Sequence, residues 1–384
     1  MAVVKFEDVA TRVNTKEDRH NTDLVYYVGG DHIDSESLKV SKRGIIKGAP
    51  LGPMFYFGFK PGDILFVTRN PHLRKCAVVD FAGICSEKTL VIATKDETVL
   101  CQKYLAGVMQ SDDFWDFLEE NKSGSVNYFI NWSTLAEYEF DLPPIEEQRA
   151  LAEKLWAAND LKEKYQHLLA ATDEMLKAKF REMFKIGAID GYGRKRIADI
   201  VSEVRYGTSR PAVDDGEYPY LRMNNLTYEG GFDLSDLKRI TVPVEELDKC
   251  LVHKGDLLFN RTNSKELVGK TTVFQFDDPM VIAGYIIRVR LKKEVEPIYL
   301  SMYLNLPSSK KMLSEMAKGS VNQTNINAKE FQSISVPVPP VELQREFVAI
   351  ANAAEASKAE LKKSITSIDA VMNGLINGCE IARS

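Results

Sequence analysis

The tetrapeptide Gly-Ser-Val-Asn occurs twice in this chain, at residues 124–127 and 319–322. A four-letter match can arise by chance, so the flanks decide. Downstream, "DLPPIEEQRALAEKL" (Asp141–Leu155) answers "PVPPVELQREFVAIA" (Pro337–Ala351). Upstream, "KPGDILFVTRN" (Lys60–Asn70) answers "HKGDLLFNRTN" (His253–Asn263), and "YVGGDHI" (Tyr27–Ile33) stands where "YLRMNNL" (Tyr220–Leu226) is expected. The offset is 193 residues at the two upstream blocks (62 to 255), 195 at the tetrapeptide (124 to 319) and 196 at Pro-Pro (143 to 339). Four blocks in one order at a nearly constant offset make an internal duplication. The 384 residues must therefore fold as two copies of one unit, which agrees with the size at which single cores give way to two domains.

Each copy has two parts. The first, residues 1–142 and again 190–337, carries short β-rich runs between Gly, Pro and Asp. These are "DILFVT" (Asp63–Thr68), "KTLVIAT" (Lys88–Thr94), "DLLFN" (Asp256–Asn260), "TTVFQF" (Thr271–Phe276) and "YIIRVRL" (Tyr285–Leu291). Helical stretches such as "QKYLAGVMQSDDFWDFLEEN" interleave with them. The pattern predicts an α+β chain with two similar compact α/β domains.

The second part, residues 143–189 and 338–384, predicts a long helix. Pro-Pro suits the approach to a first turn, and Glu146, Glu147 and Glu342 suit its positive end. One stripe reads Leu151, Leu155, Ala158, Lys162, Tyr165, Leu169, Thr172, Leu176. The other reads Phe347, Ala351, Ala354, Lys358, Leu361, Ile365, Ile368, Met372, at identical steps of four and three. That is coiled-coil spacing. The stripes most economically pack on each other as two long antiparallel helices separating the domains, giving a pseudo-twofold internal repeat. A helix from Ile145 to about Phe184 would be about 60 Å long.

The start of the chain has no long apolar region, so no signal peptide is expected, and no apolar run is long enough to cross a bilayer. Five scattered cysteines (Cys76, Cys85, Cys101, Cys250, Cys379) without paired spacing read as reduced thiols in a cytoplasmic protein. A net charge of −5 and no basic segment mean that any grip on nucleic acid must be local or shared with a partner.

Catalytic motifs fail one by one. "SKELVGKT" (Ser264–Thr271) lacks the first glycine of a phosphate-binding loop and leads into a strand pattern, where that loop requires a helix. "VGGDHI" has no helix pattern after it, and "NPHL" (Asn70–Leu73) matches only the first half of a base-flipping loop. The acidic pair Asp277-Asp278 belongs to a turn, and the five histidines show no ligand spacing. No metal site or resident cofactor is expected.

What remains are polar clusters at corresponding places. After the Gly-Asp strand come Arg69, Asn70, His72, Arg74 and Lys75 in one copy and Arg261, Thr262 and Asn263 in the other. The repeated loop supplies Lys122, Ser123 and Asn127, then Lys318, Ser320, Asn322, Gln323 and Asn325. The block "YLRMNNL" adds Arg222, Asn224 and Asn225. Arginine can grip guanine with two bonds, asparagine can grip adenine, and lysine and serine suit phosphates. The same residue types also build ordinary polar turns and caps, and both roles stand open for "NQTNIN" (Gln323's own run, residues 322–327).

These blocks, in this order and with this layout, resemble the specificity subunit of type I restriction–modification enzymes along essentially the whole chain. The resemblance rests on "YLRMNNL", "HKGDLLFNRTNSKELVGKT", "GSVNQTNINAKEFQSISVPVPPVELQREF" and their first-copy counterparts. It implies two target recognition domains, each reading one half of a bipartite double-stranded DNA sequence. The helices, with seam residues Leu151, Leu155, Tyr165, Leu169, Leu176, Phe347, Leu361, Ile365, Ile368 and Met372, would act as a spacer that docks two methylation subunits. Those subunits would carry S-adenosylmethionine, and a separate restriction/translocase subunit would cleave DNA. The chain itself would be non-catalytic. Two alternatives are the recognition portion of a fused restriction–methylation enzyme and a structural adaptor that never touches DNA. The first copy departs from the second in "NYFINWSTLAEYEF" against "NQTNINAKEFQSIS", where aromatics replace amides.

Overall fold

A computed structural model describes residues 2–125, 127–186, 191–320 and 323–378. The chain divides into two compact units, Met1–Leu168 with Leu361–Ser384, and Leu169–Glu360.

In the first unit, strands Ala10–Val13, Thr89–Thr94, Ile64–Val67 and Cys76–Val78 lie side by side in that order, all antiparallel. A second sheet has the order Gly44–Ile45, Tyr26–Val28, Gly83–Ser86, Phe55–Phe59, with a single parallel pairing in its centre. The second unit has the order Val201–Tyr206, Ile286–Leu291, Leu257–Asn260, Thr271–Val273 in one sheet. Its other sheet runs Lys238–Ile240, Tyr218–Leu221, Met280–Ile282, Leu251–Val252, again with one central parallel pairing. The strand Ile64–Val67 and its counterpart Leu257–Asn260 are buried throughout, which is why both read as continuous apolar runs. The structure is mixed helix and sheet, as the sequence pattern predicts.

Each unit ties its first strand to the segment that leads into a long helix. Ala2–Lys5 pairs with Glu139–Leu142, and Arg194–Arg196 pairs with Ser335–Pro337. The helices that follow are Ile145–Met183 and Val341–Asn377. Acidic residues in their first turns, Glu146, Glu147 and Glu342, complement the helix dipole.

At the foot of each helix sits a glutamine with no exposed surface. The Gln148 side-chain oxygen accepts from the Cys101 N–H at 2.9 Å, and its amide nitrogen donates to the Val99 and Pro143 carbonyls at 2.9 and 2.8 Å. The Gln344 oxygen accepts from the Glu296 N–H at 2.9 Å, and its nitrogen donates to the Glu294 and Pro339 carbonyls at 3.1 and 2.8 Å. Burying a primary amide is unfavourable unless its polar atoms are bonded, and both amides meet that condition with equivalent backbone partners.

The helix stripes turn inward. In the first unit Leu155, Trp156 and Met372 join a core with Phe6, Phe66, Phe114 and Trp115. The second unit packs Leu176, Phe180, Phe184 and Phe347 with Tyr299; the Phe347 ring centre lies 5.0 Å from that of Phe180. Lysines on the stripes find aspartates on the opposing helix. Lys162 bonds Asp369 at 2.6 Å in the first unit, and Lys358 bonds Asp173 at 2.6 Å in the second. Both pairs are reciprocal: 162 and 358 differ by 196, as do 173 and 369. Such half-exposed pairs add little stability, but they discriminate against a shifted register.

Lys310 is buried without an ion pair among the described residues. It stands in the helix Pro307–Met316, is 6% exposed and donates to the Gly269 carbonyl at 2.9 Å. Its ammonium lies 4.7 Å from the centre of the Tyr228 ring. Burial first, and then the charge of nearby Lys270, pull its pKa down to about 7, with Glu229 partly opposing. The unfolded chain holds that proton until about pH 10.5, so this lysine disfavours the folded state most at and below about pH 7 and progressively less above it. Lys310→Met should therefore raise resistance to denaturant at about pH 6.5. The gain should shrink at about pH 9.5, and a gain independent of pH would contradict the assignment.

Candidate nucleic-acid interface

The Gly-Asp turn is where each reading surface begins. Gly62 (φ +94°) and Gly255 (φ +95°) take a left-handed conformation that favours glycine. The next residue, Asp63 or Asp256, is buried and accepts from the N–H three residues back, Lys60 at 2.8 Å and His253 at 2.9 Å. The buried strand that follows emerges at Thr68 in the first unit and at Arg261 in the second.

There the two repeated blocks meet. The Ile130 N–H donates to the Thr68 carbonyl at 2.9 Å, Asn70 N–H donates to the Tyr128 carbonyl at 3.1 Å, and Ser123 and Phe129 exchange two bonds of 3.0 Å. In the second unit the Ile326 N–H donates to the Arg261 carbonyl at 2.9 Å. Thr262–Asn263 pairs with Gln323–Asn325, which in turn pairs with Lys318–Ser320. Each unit thus holds a small antiparallel ribbon of three segments, made from the exit of the Gly-Asp strand and the Gly-Ser-Val-Asn loop. The Asn322 candidate lies outside the described residues.

The third repeated block is tied in by a lysine. Lys75 Nζ donates to the Gly30 carbonyl at 2.8 Å, and Lys270 Nζ reaches the Met223 carbonyl at 3.4 Å. Gly30 and Met223 each open a 3-10 turn, Gly30–His32 and Met223–Asn225. The lysine of the "VGKT" stretch therefore holds a turn, and no helix follows it.

Side chains sort by their commitments. Asn225 is 2% exposed, accepts from Arg222 N–H and donates to the Asp233 carbonyl, both at 2.9 Å. His32 makes the equivalent bond to Gly29 N–H through Nδ1 at 2.9 Å. Arg222 binds Asp236 at 2.6 Å and holds that carboxyl below its ordinary pKa. Thr262 is buried and donates to Asn325 Oδ1 at 3.0 Å, while Asn263 donates to Asn260 Oδ1 at 3.0 Å. Asn327 caps the helix Ala328–Ser333. Much of "NQTNIN" is therefore structural. Arg74 is engaged with Asp112 at 2.6 Å, Lys318 with Glu330 at 2.7 Å, and Lys122 with Glu119 while it sits 4.3 Å from the Tyr128 ring centre. Arg261 lies 5.0 Å from the Tyr206 ring centre and donates to the Gly284 carbonyl at 3.1 Å.

Asn70, His72, Asn127, Asn224 and Gln323 are exposed, and their side chains have no hydrogen-bond partner among the described residues. Arg69 is exposed beside Phe129, its guanidinium 5.8 Å from the ring centre. These groups are the ones available to donate to and accept from base edges and phosphates. No group of three or more His, Cys, Asp or Glu residues among the described residues could hold a metal, and no helix among them is long and apolar enough to cross a membrane.

The stripe residues Leu151, Leu155, Tyr165, Leu169, Leu176, Phe347, Leu361, Ile365, Ile368 and Met372 are all buried or half-buried within the chain. A different heptad row on the first long helix, Leu161, Leu168 and Met175, is 40%, 49% and 49% exposed. The sequence reading passed over this row, although its steps of seven are visible in the sequence. The repeated Pro-Pro blocks also contain Gln148 and Gln344, whose backbone partners no local pattern reveals.

Each of the two α+β units carries a ribbon built from the same repeated blocks. Residues 194–368 match the family model for the type I restriction modification DNA specificity domain. The chain is 24% identical over 378 residues to the EcoKI specificity subunit, a type I restriction enzyme subunit of Escherichia coli K12, covering 92% of this chain and 76% of that one. It is 22% identical over 291 residues to the EcoBI specificity subunit of Escherichia coli, covering 67% of this chain and 60% of the relative. The crystal structure of a type I restriction–modification S subunit from M. genitalium superposes with a TM-score of 0.61 at 14% identity, over 98% of this chain and 95% of that one. The resemblance read from the sequence is borne out.

Adjacent asparagines provide a test of the sorting. Asn225→Leu strands the backbone groups that its amide satisfies and should destabilise the second unit by about 1–3 kcal/mol. Asn224→Ala, at an exposed side chain, should stay within about 0.5 kcal/mol. Denaturant unfolding of the two variants measures the difference, and equal effects would contradict it.

Proposed function

We infer that this chain is the DNA-specificity subunit of a type I restriction–modification system. Residues 1–142 and 190–337 form two target recognition domains, each reading one half of a bipartite double-stranded target. The observation that carries the reading is the ribbon: both units build it with the same backbone bonds, yet present different side chains from it. Arg69, Asn70 and Asn127 stand exposed on one, and half-exposed Arg261 and exposed Gln323 stand on the other. One scaffold with two sets of contacts suits two different half-sites.

The helical segments 143–189 and 338–384 act as the spacer between half-sites and as the dock for two methylation subunits. The finer fold reading belongs to the same proposal: an internal repeat with pseudo-twofold symmetry whose helices pair as an antiparallel coiled coil. The reciprocal pairs Lys162–Asp369 and Lys358–Asp173 support it, as do the matching strand orders. With the stripes turned inward, the exposed row Leu161, Leu168, Met175 offers an apolar surface to a partner helix or groove. The chain acts in the cytoplasm and performs no chemistry. The methylation subunits supply S-adenosylmethionine and methyl transfer, and a restriction/translocase subunit supplies cleavage. A net charge of −5 agrees with a grip on DNA shared among subunits.

The chain assembled with its methylation subunits should select, from a randomised duplex library, two short sequence blocks separated by a fixed stretch of unselected bases. Selection of one continuous block, or of none, would contradict the reading. Arg69→Ala should relax one position of one block, by about 1–3 kcal/mol in discrimination if the guanidinium grips a base. Uniform weakening over all sequences would assign Arg69 to phosphate.

A further inference from the structure

A spacer can only measure distance if each reading domain is fixed on its helix. Apolar packing alone fixes that poorly, because the burial of side chains such as Leu155 or Phe347 is insensitive to small rotations about the contact. Hydrogen bonds are directional, weakening steeply as donor and acceptor lose alignment.

Among the described residues, the one polar contact repeated between the long helices and the β-rich parts of both units is the buried glutamine. Gln148 stands in the first turn of its helix and grips the backbone on both sides of Leu100, the segment leading into the helix Gln102–Val108. Gln344 does the same to the segment leading into Pro297–Asn305. In each case the third bond returns to the proline carbonyl just before the long helix. Every partner in one unit has its counterpart in the other: 99 and 294, 101 and 296, 143 and 339. The partners are backbone atoms, so the contact is independent of the side chains that each domain uses for reading. Among the described residues neither amide touches a reading loop, which excludes a direct part in base recognition.

We propose that Gln148 and Gln344 are positioning residues for target selection: each amide sets the angle of a recognition domain on its long helix and so the length of the gap between half-sites. The inference rests on the DNA-specificity reading above. It adds that the gap depends on two side chains at the helix feet as well as on helix length.

The test uses the chain assembled with its methylation subunits and a set of duplexes carrying both preferred half-sites with gaps varied one base pair at a time. The parent should prefer one gap. Gln148→Met and Gln344→Met, which fill the same space without the bonds, should each lower the preference for that gap over its neighbours by about fivefold, a typical net contribution of one hydrogen bond. The bases selected within each half-site should stay unchanged. Gln148→Asn keeps an amide on a stem too short to span all three partners. It serves as the milder variant if methionine prevents folding, and the same loss of gap preference is expected from it. Weaker binding at every gap with the preference intact would make the glutamines stabilising residues only and would overturn the proposal. A parent that binds both half-sites but discriminates among no gaps would overturn the spacer reading, and the proposal with it.

Discussion

A primary amide with no exposed surface at the foot of each long helix is the constraint on which the rest depends. Gln148 and Gln344 each satisfy one donor and two acceptors of the backbone around the helix start. Removing either side chain would leave several buried backbone groups without partners, a far larger penalty than the net gain of any one bond. The pairing of the first strand with the last, Ala2–Lys5 on Glu139–Leu142 and Arg194–Arg196 on Ser335–Pro337, brings each domain's two ends to that same foot. From there the long helix begins.

The reading ribbons lie at the other end of the same logic. A buried strand, started by a Gly-Asp turn, leaves the sheet and immediately pairs with the repeated loop. The backbone bonds Ile130 to Thr68 and Ile326 to Arg261 are equivalent, so the position of the ribbon does not depend on which side chains it carries. Sequence can vary on the exposed positions without moving the frame. This accounts for aromatics such as Tyr128 and Phe129 in one copy and amides in the other within a common backbone arrangement. Residues 194–368 match the family model for the type I DNA specificity domain, and the first unit repeats the strand order of the second.

Much of this was legible in the sequence because it is local or periodic. The duplication, the apolar strands, the helix starts at Pro-Pro and the stripes of four and three all follow from short-range rules. The site was only partly legible. Arg69, Asn70 and Asn127 are exposed, but Asn225 and Thr262 are spent inside the fold, and nothing in a single strand of letters separates Asn224 from Asn225. The 3-10 turn decides it, by directing one side chain outward and the other to the backbone. Lys75 reads as a nucleic-acid contact and Lys270 as part of a failed phosphate-loop pattern, yet each holds the carbonyl that opens a 3-10 turn of its unit. Their partners lie tens of residues away, beyond any periodicity. The glutamines escaped for the same reason: their place in the motif is visible, while the backbone they bind is not.

The central claim is that two independently reading domains share one chain. It is tested most directly by replacing residues 190–337 with the corresponding part of a relative that has a different target. The hybrid is then expressed with its methylation subunits, and every methylated site in the host genome is sequenced. The account predicts that one half of the methylated sequence changes while the other half and the gap stay as they were. A change in both halves together, or in neither, with methylation intact, would contradict it.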